Sequence, residues 1–174
     1  TEQAQFFSIL CEHAAIAIQN ALFHQEAVRM ERNSRDMELA QVIQKSFMPD
    51  PQSAFEGYRI WCLNQPAFNV GGDFYDFFKV GEDRHFFCVG DVSGKSIPAA
   101  LYMARFLSDL RYIASSLQHP GKTFEALNQL TLQRGMTNMY VTLLGGIIEQ
   151  NSGLIHLCCA GHPAPILLNP KSEP

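Results

Sequence analysis

Apolar positions recur along this chain with two different periods, and the change from one to the other divides it. Over residues 2–24, which contain neither proline nor glycine, Phe6, Ile9, Leu10, Ala14, Ala17, Ala21 and Leu22 fall on one helical stripe. Residues 27–38 are polar and charged. A second amphipathic stretch carries Leu39, Val42, Ile43 and Phe47 and runs until Pro49 ends it. An apolar stripe at a terminus needs something to dock on, so residues 1–48 are expected to be a helical extension and linker whose stripe is an interface, pairing two copies into a homodimer, or the cut edge of a domain.

From residue 58 the pattern changes. Residues 58–63 read as an apolar strand closed by Asn64-Gln65-Pro66, with Trp61, the single tryptophan, expected in the core. Two aromatic-rich runs, 74–80 and 84–91, flank the short turn Gly81-Glu82-Asp83 and predict an antiparallel hairpin. Pro98 suits the first turn of a helix through Leu101, Phe106, Leu110 and Ile113, which His119-Pro120-Gly121 breaks. A second helix, 123–133, carries Phe124, Leu127 and Leu130 and ends at Gly135. Residues 139–148 and 154–159 form a further hairpin around Asn151-Ser152-Gly153, and a last strand, 166–168, stops at Asn169-Pro170. Strands, two helices and then strands in hairpins predict an α+β domain over residues 49–174, with helices packed on an antiparallel sheet.

The chemistry concentrates in residues 70–96. Asp73 and Asp91 each follow a glycine and each close one end of an apolar run, where core gives way to loop. The hairpin sets them side by side. Two carboxylates so placed repel each other, and hard oxygen ligands favour magnesium or manganese as the remedy. The structural alternative is that one acid caps a turn and the other caps the helix after Ser96. Gly90-Asp91-Val92-Ser93-Gly94-Lys95-Ser96 also ends like a phosphate-binding loop. It has three residues between its glycines where that loop needs four, and Asp91 would face the phosphate. Asp76 should point to the opposite face of its strand from Asp73 and act structurally. Lys95 either steers a phosphate or lies in solvent. His162 reads as a hydrogen-bonded turn residue, and Met103, Met136 and Met139 as core fillers.

Composition narrows the classes. The chain has 174 residues, 47% of them hydrophobic, and a net charge of −4, which argues against a general nucleic-acid binder. Its five cysteines, Cys11, Cys62, Cys88, Cys158 and Cys159, show no zinc-ribbon or redox spacing and read as small hydrophobes in a reducing compartment. No secretory signal and no bilayer-length apolar run stand out, so a cytoplasmic protein that binds no membrane is expected.

Gly71-Gly72-Asp73-Phe74-Tyr75-Asp76 followed by Gly90-Asp91-Val92-Ser93-Gly94-Lys95 resembles the SpoIIE/RsbU branch of the metal-dependent type 2C protein phosphatases. Pro98-Ala99-Ala100-Leu101 and Ala160-Gly161-His162-Pro163-Ala164-Pro165 agree with it, so the resemblance runs from about residue 39 onward. It implies an antiparallel β-sandwich flanked by α-helices. It also implies two Mn2+ or Mg2+ ions held by Asp73, Asp91 and the backbone carbonyl of Val92, with Asp91 bridging them. The implied activity is hydrolysis of phosphoserine or phosphothreonine on a bacterial regulatory protein of the anti-anti-sigma (STAS) type by metal-activated water. The first helix resembles the closing helix of a GAF sensor domain, which implies an upstream sensor in the parent chain. Two departures stand out. Ser96 occupies a position usually held by glycine, and the sequence stops at Pro174 before the Asp-Gly pair and final aspartate that supply further ligands. The chain is therefore expected to be a fragment whose own activity is doubtful; the alternative is a non-catalytic partner-binding or dimerisation module.

Overall fold

In the computed structural model, residues 2–50, 54–55, 57–134 and 138–168 are described. The expected helix end at Gly135, the core role of Met136 and the strand end at Asn169-Pro170 lie outside them. The chain divides into two compact units, Thr1–Ala40 and Gln41–Pro174.

The two expected helical segments are one: α1 (Glu2–Ser46) is continuous. The polar stretch does not interrupt it because its charges are spaced for the helix. Arg29 faces Glu26 at 3.9 Å, and Arg35 meets Glu31 at 2.5 Å one turn away. The apolar residues of the first half do not keep to a single stripe. Ile16, Ile18 and Phe23 are exposed along with Phe6, Ile9 and Leu22. By length and composition alone, α1 is long and apolar enough to cross a bilayer. The expectation that no apolar run is long enough for that is corrected.

In the second unit a four-stranded antiparallel sheet has the order β3 (Phe74–Lys79), β4 (Arg84–Val92), β5 (Val141–Glu149), β6 (Ile155–Ala160), after a small pair β1 (Ala54–Phe55) and β2 (Tyr58–Arg59). Between β4 and β5 the chain forms α2 (Ser96–Leu117) and α3 (Pro120–Gln133). His119, the residue expected to break the helix, caps α3 by accepting from Lys122 N, and Pro120 takes the first helical position.

Both helices pack on one face of the sheet. Phe74, Phe86, Cys88, Val92, Leu143 and Ile147 from the strands meet Met103, Phe106, Leu107 and Leu110 of α2 and Phe124 and Leu127 of α3. Strand alternation decides what points the other way: Phe86, Cys88, Gly90 and Val92 are buried, whereas Val89 and Asp91 are exposed. Gly90 is required by this packing. A Cβ there would lie 2.5 Å from the Phe74 ring and 2.8 Å from the carbonyl oxygen of Thr142.

Three expectations are corrected. Pairing of the first strand stops at Arg59, so residues 60–63 are not strand, and Trp61 is 70% exposed rather than core. Residues 166–168 are not strand either, and Ile166, Leu167 and Leu168 are exposed. Both segments have apolar strand-like composition but no ladder partner among the described residues, and composition without a partner edge does not make a strand. Of the cysteines, all free, only Cys88 is fully buried; Cys11 and Cys159 are exposed.

Candidate metal centre

The β3–β4 hairpin fixes the site by its register. Phe74 pairs with Gly90, and Val92 N donates to Gly72 O at 3.3 Å, so Asp73 and Asp91 fall opposite each other between these two links. Both belong to the sheet face away from the helices. Their carboxylates interact directly. The Asp91 carboxyl is pushed above its ordinary value first by burial, then by the charge of Asp73 and by a hydrogen bond between the two side chains; nearby His162 pulls it down. The two side chains therefore lie within hydrogen-bonding reach of each other.

Gly72 leaves the space beside them open. A Cβ on it would collide with Val92 O and would lie 3.2 Å from Asp91 Oδ1. Asp73, Asp91, Gly71, Gly72, Gly94 and Lys95 line a common cavity of about 400 Å3. Lys95 is exposed and extended (φ −154°, ψ 165°) immediately before α2. The first turn of α2 receives no side-chain cap, so Asp91 does not cap that helix.

Asp76 sits on the other face. It is 2% exposed, and its two oxygens accept from Arg111 Nε at 2.6 Å and Nη2 at 2.9 Å. The carboxylate is thus held by a bidentate guanidinium within the helix-covered layer. Arg111 was not foreseen; on α2 its spacing reads as an ordinary surface position.

His162 stands closer to the chemistry than its turn position suggested. Its Nδ1 lies 2.9 Å from Thr142 Oγ1, and Thr142 is the β5 residue paired with Asp91. Gly161, at φ 72°, makes the turn that brings the ring back over the sheet. The glycine before the histidine was the available signal. Cys158 packs against the core while Cys159 Sγ donates to His162 O at 3.1 Å, so the adjacent thiols face opposite ways and do not converge on the ring.

The donor set suits a hard divalent cation in kind: two carboxylates and the Val92 carbonyl around a space that a side chain at Gly72 would fill. In number it is partial, since the described residues contain no cluster of three or more His, Cys, Asp or Glu able to hold a metal ion.

A sheet with paired helices on one face and a carboxylate pair at the end of its first long hairpin defines a type 2C phosphatase-like domain. The SiaA-PP2C domain of Pseudomonas aeruginosa shares this fold, with a TM-score of 0.54 and 22% identity over 68% of this chain and 48% of that one. The chain belongs to the SpoIIE family: the family described as Stage II sporulation protein E matches residues 81–174, more than half of it. It is 29% identical over 164 residues to protein IcfG of Synechocystis sp., covering 79% of this chain and 26% of that protein. It is 28% identical over 131 residues to phosphoserine phosphatase RsbU of Bacillus subtilis, covering 73% of this chain and 38% of that protein. It therefore spans well under half the length of these relatives.

Proposed function

We propose that this chain is the metal-binding part of a protein serine/threonine phosphatase that removes phosphate from a bacterial regulatory protein of the anti-anti-sigma type. The observation that carries the reading is the Asp73–Asp91 pair, set opposite each other by the hairpin register with their side chains in hydrogen-bonding reach. Asp73, Asp91 and the Val92 carbonyl would hold Mn2+ or Mg2+. Such an ion supplies a water of lowered pKa and a counter-charge for the phosphate. Lys95, free in the same cavity, binds the phosphate oxygens, and Gly72 keeps the approach clear of side-chain atoms. Kinship with RsbU, named a phosphoserine phosphatase, supports the phosphoserine chemistry; the regulatory-protein substrate is what the motif resemblance implies. An upstream sensor domain, pairing of two copies through α1 and a cytoplasmic location complete the reading.

The test is Mn2+-dependent release of phosphate from a phosphoserine protein by the full-length protein, beside Asp91→Asn. The expected result is metal-stimulated turnover that the substitution abolishes. Turnover indifferent to Mn2+ or to Asp91→Asn overturns the proposal. A second reading, a non-catalytic partner-binding or dimerisation module, is favoured by the partial donor set alone; absence of any metal-stimulated turnover in the full-length protein would establish it.

A further inference from the structure

Gln44 is the one buried polar side chain of α1, 7% exposed in the last turn of the helix. A buried primary amide needs partners for both its ends. It finds both on one residue: Gln44 Nε2 donates to Gly71 O at 2.6 Å, and Gly71 N donates to Gln44 Oε1 at 3.2 Å. The side chain thus reads the backbone as a neighbouring strand would, and it does so two residues before Asp73 and next to the glycine whose missing side chain leaves the cavity open.

Three further links tie the same few residues to the same loop. Asn64 Nδ2 donates to Asp73 O at 2.8 Å and approaches Met48 Sδ at 3.4 Å. Tyr75 Oη donates to Pro49 O at 3.3 Å, and Arg111 Nη2, while gripping Asp76, donates to Phe47 O at 3.0 Å. The last turn of α1 and the three residues after it are therefore hydrogen-bonded to both sides of Asp73: Gln44 to Gly71 before it, and Pro49 to Tyr75 and Phe47, through Arg111, to Asp76 after it.

We propose that Gln44 is a positioning residue for the metal site. By clamping Gly71 it sets the backbone from which Asp73 is presented beside Asp91, so that the last turn of α1 controls how well the pair holds a divalent cation. The proposal rests on the metal reading given above. It concerns geometry alone, since Gln44 touches neither carboxylate.

The test uses the full-length protein with Mn2+ as the probe, free ion being counted by its paramagnetic resonance signal, and amide hydrogen exchange at Gly71 as a second readout. Gln44→Met keeps length and bulk and loses both hydrogen bonds. Gln44→Glu sets a carboxylate oxygen against Gly71 O, and that repulsion drives the side chain off Gly71 so that both hydrogen bonds are lost. Both should speed exchange at Gly71 by at least about tenfold and weaken Mn2+ binding by about 10- to 100-fold, as loss of an outer-shell partner does, in protein that remains folded by circular dichroism. A space-filling role alone predicts that Gln44→Met changes neither, and that result overturns the proposal. Should Gln44→Met fail to fold, Gln44→Glu decides by the same two readouts. Asp91→Asn separates the two readings: it should abolish Mn2+ binding with Gly71 exchange unchanged. If the wild-type full-length protein binds no Mn2+, the metal reading falls and this proposal with it; if it binds Mn2+ and the Gln44 variants bind equally well, this proposal alone falls.

Discussion

Removing Arg111 should cost this fold more than removing the acid it binds. The Asp76 side chain is fully buried, whereas that of Arg111 is 45% exposed. Arg111→Ala leaves a buried carboxylate with its bidentate partner gone, a loss of about 3–5 kcal/mol. It also deletes the guanidinium 5.9 Å over the Phe78 ring and the bond to Phe47 O. Access of water through the vacated, half-exposed position favours the lower figure. Asp76→Ala leaves a guanidinium that can turn into solvent, so only the net value of charged hydrogen bonds is lost, about 1.5–3 kcal/mol. A difference near 1–2 kcal/mol should separate the two variants. Urea unfolding followed by circular dichroism, with the slope checked for constancy, measures it. At about 2–4 °C per kcal/mol, Arg111→Ala should lower the melting temperature by roughly 6–12 °C. The double replacement Asp76→Leu with Arg111→Met should recover most of the loss, since neither charge is then left alone. If Arg111→Ala proves no costlier than Asp76→Ala, the carboxylate is not isolated from solvent as described and the reasoning fails.

The metal-free site should oppose folding at neutral pH. The folded Asp91 carboxyl lies above its ordinary value of 3.8, so the native state binds the proton more tightly, and stability is lost as pH rises from about that value through the raised one. Asp91→Asn should accordingly stabilise the metal-free chain at pH 7, with the advantage vanishing below about pH 3.8, as thermal melts across that range would show. Saturating Mn2+ should reverse the order by stabilising only the wild type, by about 2.7 kcal/mol at a hundred times the dissociation constant; an unchanged order speaks against the metal site. Ser96 is held at φ 62°, a left-handed conformation costing a non-glycine residue about 1–2 kcal/mol. After about 0.5–1 kcal/mol for the greater freedom of unfolded glycine, Ser96→Gly should stabilise the chain by about 0.5–1 kcal/mol. Equal or lower stability in a urea titration would refute that account.

What the sequence determined by itself was local in origin. Alternation of period two around the short turn at Gly81 allowed one hairpin register, and that register opposes Asp73 to Asp91 while sending Asp76 to the other face. His119 and Pro120 marked the junction of α2 and α3 because a cap and a fixed φ act within one turn. The positive φ of Ser96 gives a physical reason for glycine at that position. The rest depends on partners far apart in the chain. Arg111 finds Asp76 across 35 residues, and Gln44 finds Gly71 across 27. His162 reaches Thr142 through the strand that pairs beside it. Trp61 and residues 166–168 were misread for the same reason: their composition suits burial, and burial depends on a covering surface. Periodicity specifies which way a side chain points from its own strand or helix, whereas what stands opposite it is set by packing among all the elements at once.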